Sequence, residues 1–221
     1  MQPTTPSPSM VATTTATATS TPQGTAAAGG RRALRGKLLT AREVPGFNAE
    51  FRWKDGRTRN RETAKPFGTC QRFPMTSIGA ERTVVRTYVP GPKQSHDLAG
   101  ELVASFPDEM TARRAFEVLK AWRARCAGQL PGRQLRRVGR LQDVPLGTGT
   151  GTGTGTGAWY LLTYGPVASD PEAVWFDAQG MALVGSRIAL VRLAVAGQDY
   201  NYEAGQEPMV TAVKRAAAKL S

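Results

Sequence analysis

The sequence predicts an α+β domain in which an antiparallel sheet carries a central helix and a C-terminal helix, preceded by a disordered tail. Three observations lead to this prediction. Strand-like runs follow one another through short turns in the second half of the chain. Two stretches repeat apolar residues at intervals of three and four, which is typical of amphipathic helices. Residues 1–30 contain no charge and consist mainly of Thr, Ala, Ser, Pro and Gly.

The tail is assigned to residues 1–36 and the folded domain to residues 37–221. A tail of this composition cannot bury enough apolar surface to offset the cost of ordering its backbone, so we expect a disordered stalk or linker. A secretory signal needs basic residues followed by an apolar run, and this N-terminus shows neither. We therefore expect the chain to meet a membrane only through an anchor that this sequence does not contain.

The first half of the domain is expected to hold a short helix and three strands. Thr40 and Glu43 form a capping-box pattern for a helix that must end before Pro45. Alternating apolar residues then predict a strand over 47–53, followed by a hairpin turn at Asp55-Gly56. The run ERTVVRTYVP is interpreted as the next strand, and HDLAGELVASF as either a strand or a helix, with the strand preferred.

The second half contains the clearest helix, predicted over residues 108–126 with Asp108 as its N-terminal cap. Strands are predicted for QLRRVGRLQDVPL, AWYLLTY, PEAVWFDAQ, MALVG and RIALVRLAVA. Gly185-Ser186 forms a tight turn between the last two of these. A final amphipathic helix begins near Pro208, because proline suits the first helical position.

A glycine-threonine repeat over residues 147–157 raises the question of a nucleotide site. Its glycines all stand at odd positions, whereas both common phosphate-binding fingerprints need two glycines five residues apart. The downstream AWYLLTY is typical of a strand rather than of a helix whose N-terminus could hold an anion. The repeat is therefore interpreted as a flexible hairpin loop, and no cofactor is predicted.

The chain is strongly basic, with a net charge of +12 and a pI near 10.4. Its arginines form three clusters: Arg31, Arg32 and Arg35; Arg57, Arg59 and Arg61; and Arg133, Arg136, Arg137 and Arg140. A basic balance favours an anionic partner such as a wall polymer, lipid head groups or nucleic acid. Zinc-finger spacing, RNP-like aromatic motifs and basic heptads are missing, so specific nucleic-acid binding is disfavoured. Arginines solvated on the surface are the alternative interpretation.

His96 is the single histidine of the chain and stands in the string Ser95-His96-Asp97. Adjacent side chains in an extended chain point to opposite faces, so three consecutive residues are poorly placed for a proton relay. The sequence contains no H-E-x-x-H, G-x-S-x-G or calcium-loop pattern. We predict a protein that is not an enzyme, with a hydrolase that uses His96 as a residual alternative.

Cys70 and Cys126 are the two cysteines of the chain, which excludes a four-cysteine zinc site and Cys-x-x-Cys redox chemistry. They are either two buried thiols or one disulfide. A bond that closes a loop of this length would stabilise the fold by about 4 kcal/mol. The stalk-like tail beside a single cysteine pair favours the disulfide and export to an oxidising compartment.

The central segment ASFPDEMTARRAFEVLKAWRARCAGQ resembles the extracellular sensor domain of actinobacterial PknH-type serine/threonine kinases, a domain that also occurs alone in secreted proteins and lipoproteins. LLTAREV looks like the opening of that domain, and RIALVRLAVAGQDY with the terminal helix resembles its closing part. The likeness covers residues 38–221. It implies an exported α+β domain with a ligand-binding cleft and a disulfide between Cys70 and Cys126. The family's second bond has no counterpart, because the regions around Phe176 and Ala196 contain no cysteine.

The prediction is thus a non-enzymatic, sensor-like module, extracellular or at the cell envelope, that binds a small molecule or an envelope component. Trp159, Tyr160, Trp175 and Tyr202 are the candidate ligand contacts, with burial in the core as the alternative role of each. The polar aromatic run over residues 199–203 either rims a pocket or packs its tyrosines on the sheet edge. No catalytic or metal-ligating residues are assigned. The alternative function is binding of an anionic polymer or nucleic acid through the arginine clusters.

Overall fold

The structure of the chain is a computed structural model, and it describes residues 30, 32–91, 97–129, 135–146, 155–168 and 170–221. The predictions for residues 1–29, for the string at residues 95–96 and for most of the glycine-threonine repeat lie outside these residues. Arg31 and Arg133 lie outside them too. The described part confirms the α+β class, with a large antiparallel sheet, a central helix and a C-terminal helix.

Eight strands of the described residues form one antiparallel sheet. In chain order they are β1 (Trp53–Arg59), β2 (Arg82–Pro90), β3 (Leu98–Ser105), β4 (Leu135–Val138), β5 (Gln142–Val144), β6 (Thr156–Tyr164), β7 (Val174–Val184) and β8 (Arg187–Gly197). The order across the sheet is β1-β2-β3-β8-β7-β6-β4, and β5 pairs with β6 along the same edge as β4. β7 is one continuous strand where two were predicted, and the turn between β7 and β8 is where the sequence predicted it.

The two long helices begin where the sequence indicates. Helix α1 (Glu109–Ala124) starts after Asp108, whose carboxylate accepts a hydrogen bond from the backbone N–H of Thr111 at 2.7 Å. Helix α2 (Pro208–Leu220) has proline at its start, as predicted. Among the helices that the structure describes, none has the length and apolar character needed to cross a membrane.

α1 and α2 cover opposite faces of the sheet, each over its own apolar core. Because side chains alternate along a strand, Ala178 and Ala182 of β7 join the core under α2, while Met181 and Leu183 join the core under α1. The core under α2 also takes in Leu34, which is 4% exposed. This core therefore extends into residues that the sequence assigned to the tail.

α2 crosses the sheet directly over Gly180 in the middle of β7. A Cβ atom at this position would collide with the side chains of Met209 and Val213, both of which are fully buried in α2. Glycine weakens a strand in isolation, and it occurs here because another element approaches the backbone closely. The residue therefore sets the distance between the helix and the sheet.

β1 corrects the prediction for residues 47–56. The strand starts only at Trp53, and Asp55 and Gly56 lie inside it, at a bulge where the pairing with β2 shifts. A bulge accommodates an Asp-Gly pair by kinking an edge strand, so the chain continues along β2 and does not reverse. Residues 47–51 form a loop, in which the ring of Phe51 packs against Trp53 with centroids 4.6 Å apart.

The predicted capping-box helix is a single hydrogen-bonded turn. The Glu43 carboxylate accepts hydrogen bonds from the backbone N–H and the hydroxyl of Thr40, at 2.7 and 2.9 Å. The helix prediction was wrong because Pro45 follows at once, and proline disfavours helical geometry in the residue before it. The capping contacts are thus present without a helix behind them.

Candidate functional site

A cleft on the α2 face of the sheet is the clearest candidate binding site. It lies where β6 meets β4 and β5, beside the start of α2, and has a volume of about 810 Å³. Small-molecule sites typically measure about 300–1,000 Å³. We call this cavity the aromatic cleft.

An interruption in the edge of the sheet opens the aromatic cleft. β4 pairs with residues 162–164 of β6 and β5 with residues 157–159, so the residues between the two short strands leave the ladder. There the backbone N–H of Gly139 donates to the carbonyl oxygen of Leu161 at 2.7 Å. A Cβ atom on Gly139 would lie 2.9 Å from that same oxygen, which is closer than side chains approach, so the interruption requires glycine.

Four aromatic side chains line the cleft, and three of them contact one another or the backbone. Trp159 of β6 is 3% exposed, and Phe176 of β7 lies with its ring centroid 5.6 Å from that of Tyr200. Tyr200 meets Tyr202 edge-on at 4.8 Å, and the Tyr202 hydroxyl donates to the carbonyl of Phe47 at 2.7 Å. These contacts fix the rings in place, so the cleft offers a preformed apolar wall.

The rim of the cleft carries charges of both signs. Arg137 and Arg140 belong to the segment around the interruption, while Asp199 and Glu207 come from the residues that follow β8. The Glu207 carboxylate is buried and accepts a hydrogen bond from the backbone N–H of Gly205 at 2.7 Å. A ligand in the cleft would thus meet an apolar wall together with both donors and acceptors.

The four aromatic residues that the sequence proposed as ligand contacts do not lie together. Trp159 and Tyr202 line the aromatic cleft. Tyr160 and Trp175 point to the opposite face, because they alternate with Trp159 and Phe176 along their strands. Tyr160 is buried in the core under α1, and Trp175 stacks on Tyr164 with centroids 6.4 Å apart. Ligand contact stays a prediction for each of the four.

Sequence reasoning missed Phe176 and the two rim arginines, Arg137 and Arg140, as cleft residues. The alternation of β7 places Phe176 on the same face as Ala178, so the period of two would have identified its side of the sheet. The rim arginines reach the cleft only because β4 and β5 share one edge of β6. That pairing has no local signal in the sequence.

The predicted disulfide between Cys70 and Cys126 is present. It lies in the core under α1, where both residues are buried, and joins the loop between β1 and β2 to the end of α1. Disulfides persist in oxidising compartments, so this bond supports the predicted export.

A buried polar network holds the same loop against the sheet. The Asp177 carboxylate is fully buried and accepts two hydrogen bonds from the Arg192 guanidinium, at 2.8 and 2.9 Å. The Thr69 hydroxyl donates to Asp177 at 2.7 Å, and the Gln179 side chain donates to it at 3.0 Å. Four donors therefore satisfy this carboxylate, and the loop is fastened next to the disulfide.

The described arginines of the three clusters fall in two places. Arg137 and Arg140 line the aromatic cleft, while Arg59 and Arg61 line two adjoining cavities beside β1 and β2. Arg35 donates to the side chain of Asn60 at 2.7 Å, so the first cluster meets the second. In the part of the chain that the structure describes, no group of three or more His, Cys, Asp or Glu side chains could hold a metal ion.

Comparison with known proteins gives a result at the level of the fold. No protein-family model matches the sequence, and no curated protein matches it. The crystal structure of the extracellular domain of PknH from Mycobacterium tuberculosis is similar, with a TM-score of 0.50 and 12% sequence identity over 86% of this chain and 95% of that one. The chain has the fold of that extracellular domain, as the sequence resemblance predicted.

Proposed function

We propose that the chain is an extracytoplasmic, sensor-like module that is not an enzyme and binds a small molecule or a cell-envelope component in the aromatic cleft. The observation that carries the proposal is the cleft of about 810 Å³, with its fixed aromatic wall and its rim of mixed charge. Cavities of this volume and lining are the usual sites of small ligands. The disulfide and the similarity to an extracellular domain support a position outside the cytoplasm.

The cleft is connected to the N-terminal side of the domain, as a sensor requires. The Tyr202 hydroxyl binds the carbonyl of Phe47, although the two residues are 155 positions apart. The ring of Phe47 in turn contacts Phe51 and Trp53, with centroids 5.1 and 5.9 Å away. A ligand that moves Tyr202 would therefore act on the packed rings of Phe47, Phe51 and Trp53.

A thermal-shift screen of the full-length protein against soluble wall fragments and lipids tests this function. A ligand raises the melting temperature by mass action, which is worth about 2.7 kcal/mol at a hundredfold excess over its Kd. Thr163→Trp fills the cleft and should abolish the shift. Met110→Trp places the same ring on α1 at a side chain that is 62% exposed, and it should keep the shift. If no compound shifts the melting temperature, or if the wild type and both variants shift equally, the result would count against the cleft as the binding site.

A second candidate function is binding of an anionic partner. The net charge of +12 favours it, as does the meeting of two arginine clusters at Asn60. Such binding must weaken steeply as salt rises, since it depends on released counterions. An affinity that does not change with salt would eliminate this candidate.

A further inference from the structure

Two adjoining cavities beside β1 and β2 collect positive side chains. They measure about 590 and 190 Å³ and share Arg59, Arg61 and Thr63 in their linings. Arg82 lines the larger cavity and Lys65 the smaller. We call the pair the basic groove. Three arginines and one lysine thus line the basic groove, at the edge of the sheet opposite the aromatic cleft.

Among the residues that the structure describes, none forms a salt bridge with any of these four cations. Each salt bridge found among the described residues uses other basic groups. None of the four side chains makes a hydrogen bond to a described residue either, although the backbone carbonyl of Lys65 accepts one from Thr63 at 3.0 Å. Their charges are therefore available to a ligand.

Two acids, Glu62 and Glu81, also line the basic groove. The Glu62 carboxylate accepts hydrogen bonds from the backbone N–H groups of Phe67 and Met75, at 2.9 and 2.6 Å, and from the Gln71 side chain at 2.8 Å. These bonds hold the carboxylate inside its own loop. Glu81, an exposed residue, is the remaining acid in the lining of the larger cavity. The groove consequently keeps a net positive charge.

The lining of the smaller cavity includes an arginine with a fixed geometry. Arg192 is held by two hydrogen bonds to Asp177, and its side chain is 23% exposed. Phe67 and Val85 supply the apolar part of the lining. A guanidinium that is already oriented loses little freedom when an oxyanion meets its remaining N–H donors.

Arg59, Arg61 and Lys65 come from one stretch, the end of β1 and the loop after it, whereas Arg82 comes from the start of β2. Folding brings them together and so increases the repulsion between like charges. Features that cost stability in this way, such as clustered like charges, are found mainly at functional sites. A bound anion would remove the repulsion.

We propose that the basic groove binds a ligand that carries phosphate, and that it binds two linked phosphates better than one. A carboxylate offers one charge and two oxygens, which a single guanidinium can satisfy. A phosphate monoester offers nearly two charges and three oxygens, which suits several guanidinium groups at once. The two cavities, joined at Arg59 and Arg61, give room for a second phosphate. The proposal rests on the second candidate function, the binding of an anionic partner, and assigns that binding to the basic groove. It does not depend on ligand binding in the aromatic cleft.

Calorimetric titration of the full-length protein with pyrophosphate, inorganic phosphate and acetate tests the proposal. We expect the affinity to fall in that order. The double variant Arg59→Gln/Arg61→Gln should weaken pyrophosphate binding about tenfold or more, since it removes two charge-assisted contacts. Arg113→Gln/Arg114→Gln removes the same charge from exposed positions on α1 and should change the affinity by less than about twofold. Both pairs are exposed, so thermal melts should show both variants folded.

The outcomes separate the groove from general attraction to anions. If both double variants weaken pyrophosphate binding equally, the proposal that the basic groove is the phosphate site is overturned, while binding of an anionic partner remains possible. If no anion binds even at low salt, both proposals fail. Acetate that binds as tightly as pyrophosphate would overturn the choice of phosphate.

Two further arms identify the source of the phosphate. If the wild type binds phosphatidylglycerol vesicles and Arg59→Gln/Arg61→Gln does not, the result would support the groove with a lipid head group as its ligand. Pyrophosphate binding without vesicle binding would support it with a soluble ligand. An oligothymidylate that binds equally to both double variants, and that displaces pyrophosphate from them, would overturn the groove in favour of nonspecific contact with nucleic acid.

Discussion

Glu101 is a carboxylic acid in an unfavourable position. It is fully buried on β3, where one oxygen accepts hydrogen bonds from the Leu39 N–H at 2.6 Å and the Tyr88 hydroxyl at 3.1 Å. Its other oxygen has no partner among the described residues. Burial raises the pKa of Glu101 to about 7; the two hydrogen bonds and Arg86 oppose this rise, and Glu43 adds to it. Compared with the unfolded chain, the folded state therefore favours the protonated form of Glu101.

This pKa predicts how stability changes with pH. Because the pKa of Glu101 lies above its ordinary value of 4.5, the unfolded chain releases the proton first as the pH rises. The free energy of unfolding should fall between about pH 4.5 and about pH 7, by on the order of 3 kcal/mol. Urea unfolding across this range should show the fall in the wild type and a smaller one in Glu101→Gln, which keeps Glu62, another acid whose pKa burial raises. The exposed Glu117→Gln serves as the control and should follow the wild type; parallel curves for all three proteins would contradict the assignment.

The bond between Asp177 and Arg192 gives a second prediction for single residues. Removing the carboxylate leaves a largely buried guanidinium without its counter-charge. Asp177→Asn should therefore lower the free energy of unfolding by about 3 to 5 kcal/mol, measured by urea denaturation. Asp143→Asn, at an exposed residue of β5, should cost far less. The double variant Asp177→Leu/Arg192→Met should recover much of the loss, and a double variant as unstable as the single one would refute the pairing.

At the scale of the elements, predictions succeeded where the signal is local. α1 and α2 follow from apolar periodicity together with Asp108 and Pro208 at their starts. β2 follows from a run rich in β-branched residues, and β3 and β8 follow from apolar runs. The Asp55-Gly56 turn failed because the bulge there depends on pairing with β2, which the local sequence does not specify.

The candidate site was harder to predict than the elements that build it. The period of two along a strand could have placed Trp159 and Tyr160 on opposite faces. The approach of Tyr202 to Phe47, by contrast, depends on the packing of the entire sheet. Local patterns therefore indicate which residues share a face, while the cleft arises from contacts between segments distant in sequence.

The close crossing of α2 over β7 predicts that a methyl group added at Gly180 destabilises the fold. Gly180→Ala would push its Cβ into Met209 and Val213, so either the helix must shift or the core must repack. We expect a loss of about 1 to 3 kcal/mol in the free energy of unfolding, measured by urea denaturation. Gly128→Ala is the matched control, because a Cβ there meets nothing within 4 Å. Equal stability of the two variants would show that the helix does not pack this closely.

At the scale of the whole molecule, the sheet separates two cores and two proposed sites. The aromatic cleft lies at the β6 end of the strand order and the basic groove at the β1 end. Among the described residues, none lines both the aromatic cleft and the basic groove. The two ligands would therefore bind without competing for side chains.

The disulfide gives the prediction for the molecule as a whole. Cys70 and Cys126 are 56 residues apart in the sequence, so the bond restricts a large part of the unfolded chain. Cys70→Ser/Cys126→Ser should reduce the free energy of unfolding by about 4 kcal/mol, and reductant should do the same to the wild type. A thiol count on exported, denatured protein should find no free thiol until reductant is added. Two free thiols in that material would refute the bond.

The interruption beside Gly139 and the bulge in β1 also bear on how copies of the protein behave when crowded. An exposed outer strand can recruit a strand from another molecule and so start aggregation. Here one outer edge is divided between β4 and β5, which span four and three residues, and the other is kinked and carries the exposed charges of Lys54, Arg57 and Arg59. Both borders are thus poor templates for strand addition. The geometry that opens the aromatic cleft therefore also disfavours association through the edge of the sheet.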